Sequence, residues 1–168
     1  IDSPDPHKIA GEILVYGENV MMGYYKNEEA TKAVLDEDSW LHTGDMGIMD
    51  PDGTIYIKGR CKTMILTGTG QNIYPEEIED KLNNLPLVLE SLIIESKGVL
   101  KALIVPDYDT AAQENIGKEE LVKVMEDNIK TLNTMVASYE RVALMEIRDS
   151  EFEKTPKRSI KRFLYQDK

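Results

Sequence analysis

Gly70-Gln71-Asn72-Ile73-Tyr74-Pro75-Glu76-Glu77-Ile78-Glu79 runs a glycine-containing loop into a helix start. Pro75 suits the first helical turn, where its missing N–H costs nothing, and Glu76 and Glu77 favour the positive end of the helix. Ile78, Leu82 and Leu85 then fall at i, i+4 and i+7, which makes one apolar face. Downstream, Leu89–Ile94 and Val99–Val105 read as two strands joined at Ser96-Lys97-Gly98. Leu121, Met125, Ile129, Leu132 and Val136 mark a longer amphipathic helix, and Val142–Ile147 reads as a third strand. This predicts an α+β unit with a small sheet of about three strands flanked by helices.

Upstream, Gly11–Tyr16 reads as a strand. Asn27 caps a short expected helix running through Glu28 and Glu29 to Leu35. Met46–Met49, the turn Asp50-Pro51-Asp52-Gly53 and Thr54–Lys58 predict a β-hairpin, closely followed by Gly59-Arg60. Residues 1–60 are thus expected to form two hairpin-like β pieces with a short helix. Residues 61–168 are expected to form a separate compact domain.

At 168 residues with 41% hydrophobic and 30% charged residues, the chain has a globular balance and is not disordered throughout. A net charge of -11 disfavours nucleic acid and anionic lipid as partners. The tail departs from that balance. Between Glu151 and Lys168, six basic residues face three acidic ones, predicting a local positive patch. The lone Cys61 permits no internal disulfide and fits a reducing, cytoplasmic setting. No apolar run is long enough for a transmembrane segment. The start, Ile1-Asp2-Ser3-Pro4, lacks the pattern of a signal peptide and reads as a linker within a longer chain.

No GxxxxGK[ST] phosphate loop, HExxH pair or cysteine cluster is present, and His7 and His42 make no convincing metal site by themselves. The loop Thr67–Gly70 offers backbone amides that suit a phosphate, although such loops more often just turn the chain.

Five segments are more specific together. They are Gly11-Glu12-Ile13-Leu14-Val15, Gly23-Tyr24-Tyr25, Trp40-Leu41-His42-Thr43-Gly44-Asp45, the run from Asp52 to Arg60, and Gly70–Glu79. Their order and spacing resemble the adenylate-forming superfamily, which includes acyl-CoA synthetases, luciferases and peptide-synthetase adenylation domains. The resemblance covers nearly the whole chain, and the stretch between Arg60 and Pro75 looks most like the long-chain fatty acyl-CoA ligase branch. It implies the end of a large domain, a hinge and a small mobile C-terminal domain, preceded by an N-terminal part holding the phosphate loop and acyl pocket. It also implies fatty acid, ATP and CoA as substrates, with Mg²⁺ beside the phosphates.

The resemblance assigns roles residue by residue. Asp45 would accept hydrogen bonds from the ribose hydroxyls, since a carboxylate offers two acceptors to a diol. Arg60 would reach ribose and phosphate, which suit the guanidinium fork. Lys62 falls at the hinge, whose torsions swing the small domain between adenylation and thioester formation. Gly70 would lie beside the CoA pantetheine channel, where a side chain would obstruct close approach. A turn aspartate, a surface arginine, a loop lysine and a turn glycine are the plainer readings.

The tail departs from the family. Long-chain-type tails read approximately Thr-Pro-x-x-Lys-x-Lys-Arg, whereas here the run is Thr155-Pro156-Lys157-Arg158-Ser159-Ile160-Lys161-Arg162. The lysine that would stabilise charge at the α-phosphate is replaced by Ser159. In an extended tail, Lys157 would share a side with Ser159 and stand ready to substitute. Three alternatives stay open: slow adenylation, takeover by Lys157 or Arg158, or another role altogether. For the protein as a whole two other readings stay open: an adenylating enzyme whose acceptor is a carrier-protein thiol or an oxygen, and a degenerate, non-catalytic binding module.

Overall fold

The computed structural model describes residues 1–68 and 70–166, so Thr69 of the glycine loop and Asp167 and Lys168 of the tail lie outside the described residues. The chain divides into two compact units, residues 1–64 and the remainder from Ile65.

The first unit is built on one antiparallel sheet, β1 (Gly11–Val15), β2 (Leu41–Met49) and β3 (Ile55–Arg60), in that spatial order. The hairpin expected over 46–58 is present as β2 and β3, and β1 joins it in the same sheet instead of forming a second β piece. Strand β2 is the nine-residue central strand: it pairs with β1 through Leu41, His42, Met46 and Gly47 on one side and with β3 from Asp45 to Met49 on the other. The helix α1 (Glu28–Lys32) is capped by Asn27, whose side-chain oxygen accepts the Ala30 N–H at 3.0 Å. It ends three residues earlier than expected.

The second unit opens with a minimal ladder, β4 (Ile65–Leu66) against β5 (Asn72–Ile73). Helix α2 (Pro75–Asn83) starts on its proline as expected. Strands β6 (Val88–Ser96) and β7 (Val99–Pro106) form an antiparallel pair, and β8 (Val142–Ile147) joins β7 in parallel. The crossover from β7 to β8 contains α3 (Tyr108–Gln113), absent from the sequence reading, and α4 (Lys118–Met135). A parallel connection needs such a crossover, whereas β6 and β7 need only a tight turn.

Both faces of this sheet are covered. On one face Ile78 and Leu82 of α2 and Leu121, Met125 and Leu132 of α4 join Ile93, Ala102 and Ile104 of the sheet in one core. On the other, Leu92, Ile94, Leu103 and Val105 are covered by Phe152, with Ile160 and Tyr165 packed around it. The basic tail is therefore the second layer of the domain, which explains why residues 91–94 of an edge strand are all buried.

Candidate functional site

In the first unit, cross-strand register decides the geometry. Asp45 on β2 stands opposite Arg60, the last residue of β3. Arg60 Nε donates to Asp45 Oδ1 at 2.9 Å. The pair uses one carboxylate oxygen and one guanidinium nitrogen. One acceptor and two further donor nitrogens remain on a surface where both side chains are partly open.

Glu12 braces this corner, and the sequence reading gave it no role. Its Oε2 lies 2.9 Å from His42 Nδ1, and its Oε1 accepts the Gly44 N–H at 2.9 Å. Thr43 Oγ1 donates to the Ile13 carbonyl at 2.8 Å, and the Cys61 N–H donates to the Gly44 carbonyl at 2.9 Å. The Glu12 carboxylate raises the His42 pKa above its ordinary value, which favours the imidazolium–carboxylate form. Two of the five segments, 11–15 and 40–45, are thus knitted together immediately beside Asp45. An acid inside an otherwise apolar strand segment was the available signal.

Lys62 is exposed in the turn after β3, where the Thr63 and Met64 N–H groups return to the Arg60 carbonyl at 3.2 Å each. In the second unit, Gly70 has φ +81°, and a Cβ built there would meet nothing within 4 Å. The conformation itself requires glycine, and the space beside it is open.

Lys157 and Ser159 share one tight turn, which replaces the extended tail expected from the sequence. The Arg158 N–H donates to the Thr155 carbonyl and the Thr155 N–H to the Ser159 carbonyl, both at 2.8 Å. Lys154 and Ile160 pair antiparallel at its base. Pro156 occupies the turn position that prefers it, and Arg158 takes φ +63°. In such a turn, spacing by two does not put Lys157 on the side of Ser159 as a strand would.

The expected positive patch is also largely neutralised. Lys154 pairs with Glu90 at 2.7 Å and Glu151 at 2.9 Å, Lys161 with Glu153 at 3.2 Å, and Arg162 with Glu79 and with Glu76 at 3.4 Å. Lys157 and Arg158, both exposed, make no ion pair among the described residues. Among those residues no group of three or more His, Cys, Asp or Glu side chains could hold a metal ion, and no helix is long and apolar enough to cross a membrane.

Residues 62–167 match the family of AMP-binding enzyme C-terminal domains. The chain belongs to that family. Among proteins similar to this AMP-binding C-terminal domain is a 2-succinylbenzoate–CoA ligase of Bacillus cytotoxicus, 35% identical over 134 residues, covering 80% of this chain and 27% of that protein. A long-chain-fatty-acid–CoA ligase of Gallus gallus is 41% identical over 105 residues, covering 62% of this chain and 14% of the other. The solved o-succinylbenzoate CoA synthetase of Bacillus subtilis, in complex with its acyl-adenylate intermediate, superposes with a TM-score of 0.74 at 31% identity. That match covers 96% of this chain and 31% of the synthetase. The chain therefore spans under a third of each of these relatives.

Proposed function

We propose that this chain is the C-terminal portion of an ATP-dependent, AMP-forming acid–thiol ligase acting on a long-chain fatty acid. Residues 1–60 would close the large adenylating domain, and residues 61–168 would be its mobile small domain. The observation that carries the reading is the Asp45–Arg60 pair, a carboxylate and a guanidinium set side by side by strand register with further acceptor and donor capacity on both. That combination suits a ribose diol next to a phosphate. The long-chain preference is supported by the Gallus gallus relative and by the stretch between Arg60 and Pro75. The succinylbenzoate relatives show that the family takes other acids too. Free Cys61 fits the cytoplasm as its setting.

In this reading the acid's carboxylate attacks the α-phosphate of ATP, releasing pyrophosphate. The CoA thiol then attacks the acyl-adenylate carbonyl and AMP leaves. Asp45 holds the ribose, Arg60 the ribose and phosphate, and the Lys157–Ser159 turn meets charge growing at the α-phosphate. Lys62 is the hinge between the two steps, and Gly70 keeps the path of the CoA arm clear. The described residues offer no ligand set for Mg²⁺, so none of them is assigned to holding it.

Asp45→Ala in the full-length protein tests this. Loss of hydrogen bonds to a charged acceptor should raise the KM for ATP about ten- to a hundredfold and leave that for the fatty acid unchanged. Steady-state kinetics with each substrate varied separately would show it. An unaltered KM for ATP with unaltered kcat would remove the ribose role.

A further inference from the structure

Glu79 is a carboxylate inside the second unit, only 8% exposed. Burial pushes its carboxyl above the usual range, while the Arg162 guanidinium and the Ile93 N–H pull it back. Its Oε1 accepts the Ile93 N–H at 2.6 Å, and its Oε2 pairs with Arg162 Nη2. Arg162 Nη1 reaches the Ile93 carbonyl at 3.5 Å. Ile93 lies on β6, an outer strand of the sheet. Both of its outward backbone groups are therefore occupied, one by α2 and the other by the tail.

Arg162 follows the turn of residues 155–159 closely. On the turn's other flank, Lys154 is tied to Glu90 on β6, and the Phe152 N–H donates to Glu90 Oε1 at 2.9 Å. Tyr165 packs edge-on against Phe152 at 5.0 Å, and its hydroxyl accepts the Glu153 N–H at 2.7 Å. The turn is thus a short uncovered loop fastened at both ends to one strand. Of the two fastenings, the Arg162 one includes the more deeply buried acid, and removing one partner of such a pair strands a charge away from water.

We propose that Glu79, acting through Arg162, is a positioning residue that sets the Lys157–Ser159 turn for the adenylation half-reaction. The proposal rests on the role given to that turn under Proposed function. Glu79 touches none of the residues assigned to substrate. Its part is to fix where the turn's charge sits relative to β6.

Glu79→Gln in the full-length protein tests this, because the amide oxygen still accepts the Ile93 N–H while the amide nitrogen no longer pairs with the guanidinium. Acyl-AMP formation, read by pyrophosphate exchange, should fall about a hundredfold, the scale of a displacement of roughly 1 Å at a reacting centre, with the loss in kcat rather than in KM for ATP. Thioester formation from supplied acyl-AMP should stay within about twofold, since the turn serves only the first step. The Thr155, Arg158 and Lys161 amides should exchange hydrogen faster, and those of β7 should not. Arg162→Lys should fall between wild type and Glu79→Gln, because one ammonium cannot span both Glu79 and Ile93. Unchanged adenylation and exchange would overturn the proposal. So would an equal fall in both half-reactions together with a lower melting temperature, which marks a purely structural residue. A wild-type protein that forms no acyl-AMP would overturn the functional reading itself. An active wild type with an unaffected variant would overturn only the role of Glu79.

Discussion

In the full-length protein, Lys157→Ala is expected to slow acyl-AMP formation about a hundred- to a thousandfold, and Ser159→Lys to speed it. Attack on the α-phosphate concentrates negative charge, and a preorganised donor at such a point is worth about 2.7–4 kcal/mol. A serine hydroxyl supplies one hydrogen bond and no charge. Among the described residues, the tail's other basic groups are committed elsewhere: Lys154, Lys161 and Arg162 each hold acidic partners. That leaves Lys157 and Arg158, both at the tip of the turn. Arg158 sits at φ +63°, a conformation that costs an L residue about 1–2 kcal/mol and glycine almost nothing. Arg158→Gly therefore keeps the turn and deletes the charge, which separates the two candidates. Pyrophosphate exchange on the three variants decides the matter. A rate unmoved by Lys157→Ala and lost in Arg158→Gly assigns the role to arginine. Rates unmoved by all three variants remove the tail turn from the chemistry.

The second large effect is on stability. The chain has two phenylalanines, Phe152 at 3% exposure and Phe163 at 71%. Phe152 fills the centre of the layer formed by Leu92, Ile94, Leu103 and Val105, and Arg148 stacks over its ring at 5.3 Å. Phe152→Ala is expected to destabilise the second unit by about 3–5 kcal/mol, through lost burial and the cavity left behind. Phe163→Ala should change it by less than about 0.5 kcal/mol. Urea denaturation followed by circular dichroism would compare the two, with a clear drop in midpoint only for Phe152→Ala. Equal midpoints would show that the tail does not form the second layer of this domain.

What could be read from the sequence follows the reach of each signal. The strands β6, β7 and β8 and the helices α2 and α4 were legible because periodicity and turn residues are local. Helix α3 was not, since six residues cannot display a period, and its start rests on the Asp107 side chain accepting the Thr110 N–H at 2.9 Å. The strand character of residues 41–45 was hidden by His42, Thr43 and Gly44, polar or flexible residues whose pairing with Glu12 and Ile13 lies about 30 positions away. Asp45 and Arg60 were singled out separately, and their pairing needed the register of two strands. The tail's charge count misled for the same reason: Arg162 finds Glu79 across 83 residues of chain, and Lys154 finds Glu90 across 64. Charge can be counted from a sequence, but partners at that distance cannot.

The turn between β6 and β7 also sets the time course of assembly. Lys97 and Gly98 have φ of +53° and +81°, the two-residue geometry that matches the twist of a hairpin. This pair of strands closes locally, on the scale of about 1–10 μs for a hairpin. Strand β8 docks beside β7 only after the whole α3–α4 segment has been gathered in, a closure whose entropic cost grows with the length of the loop. Truncating Leu92, in the hairpin, should therefore slow folding, whereas truncating Val142, in β8, should mainly speed unfolding. The last strand to arrive is also the one that completes the sheet, and Asn133 at the end of α4 holds it by accepting the Val142 N–H at 2.8 Å and donating to its carbonyl at 2.9 Å. A nascent chain would thus expose the open side of β7 until α4 is in place, and that interval is when the domain is most prone to pairing with the wrong strand.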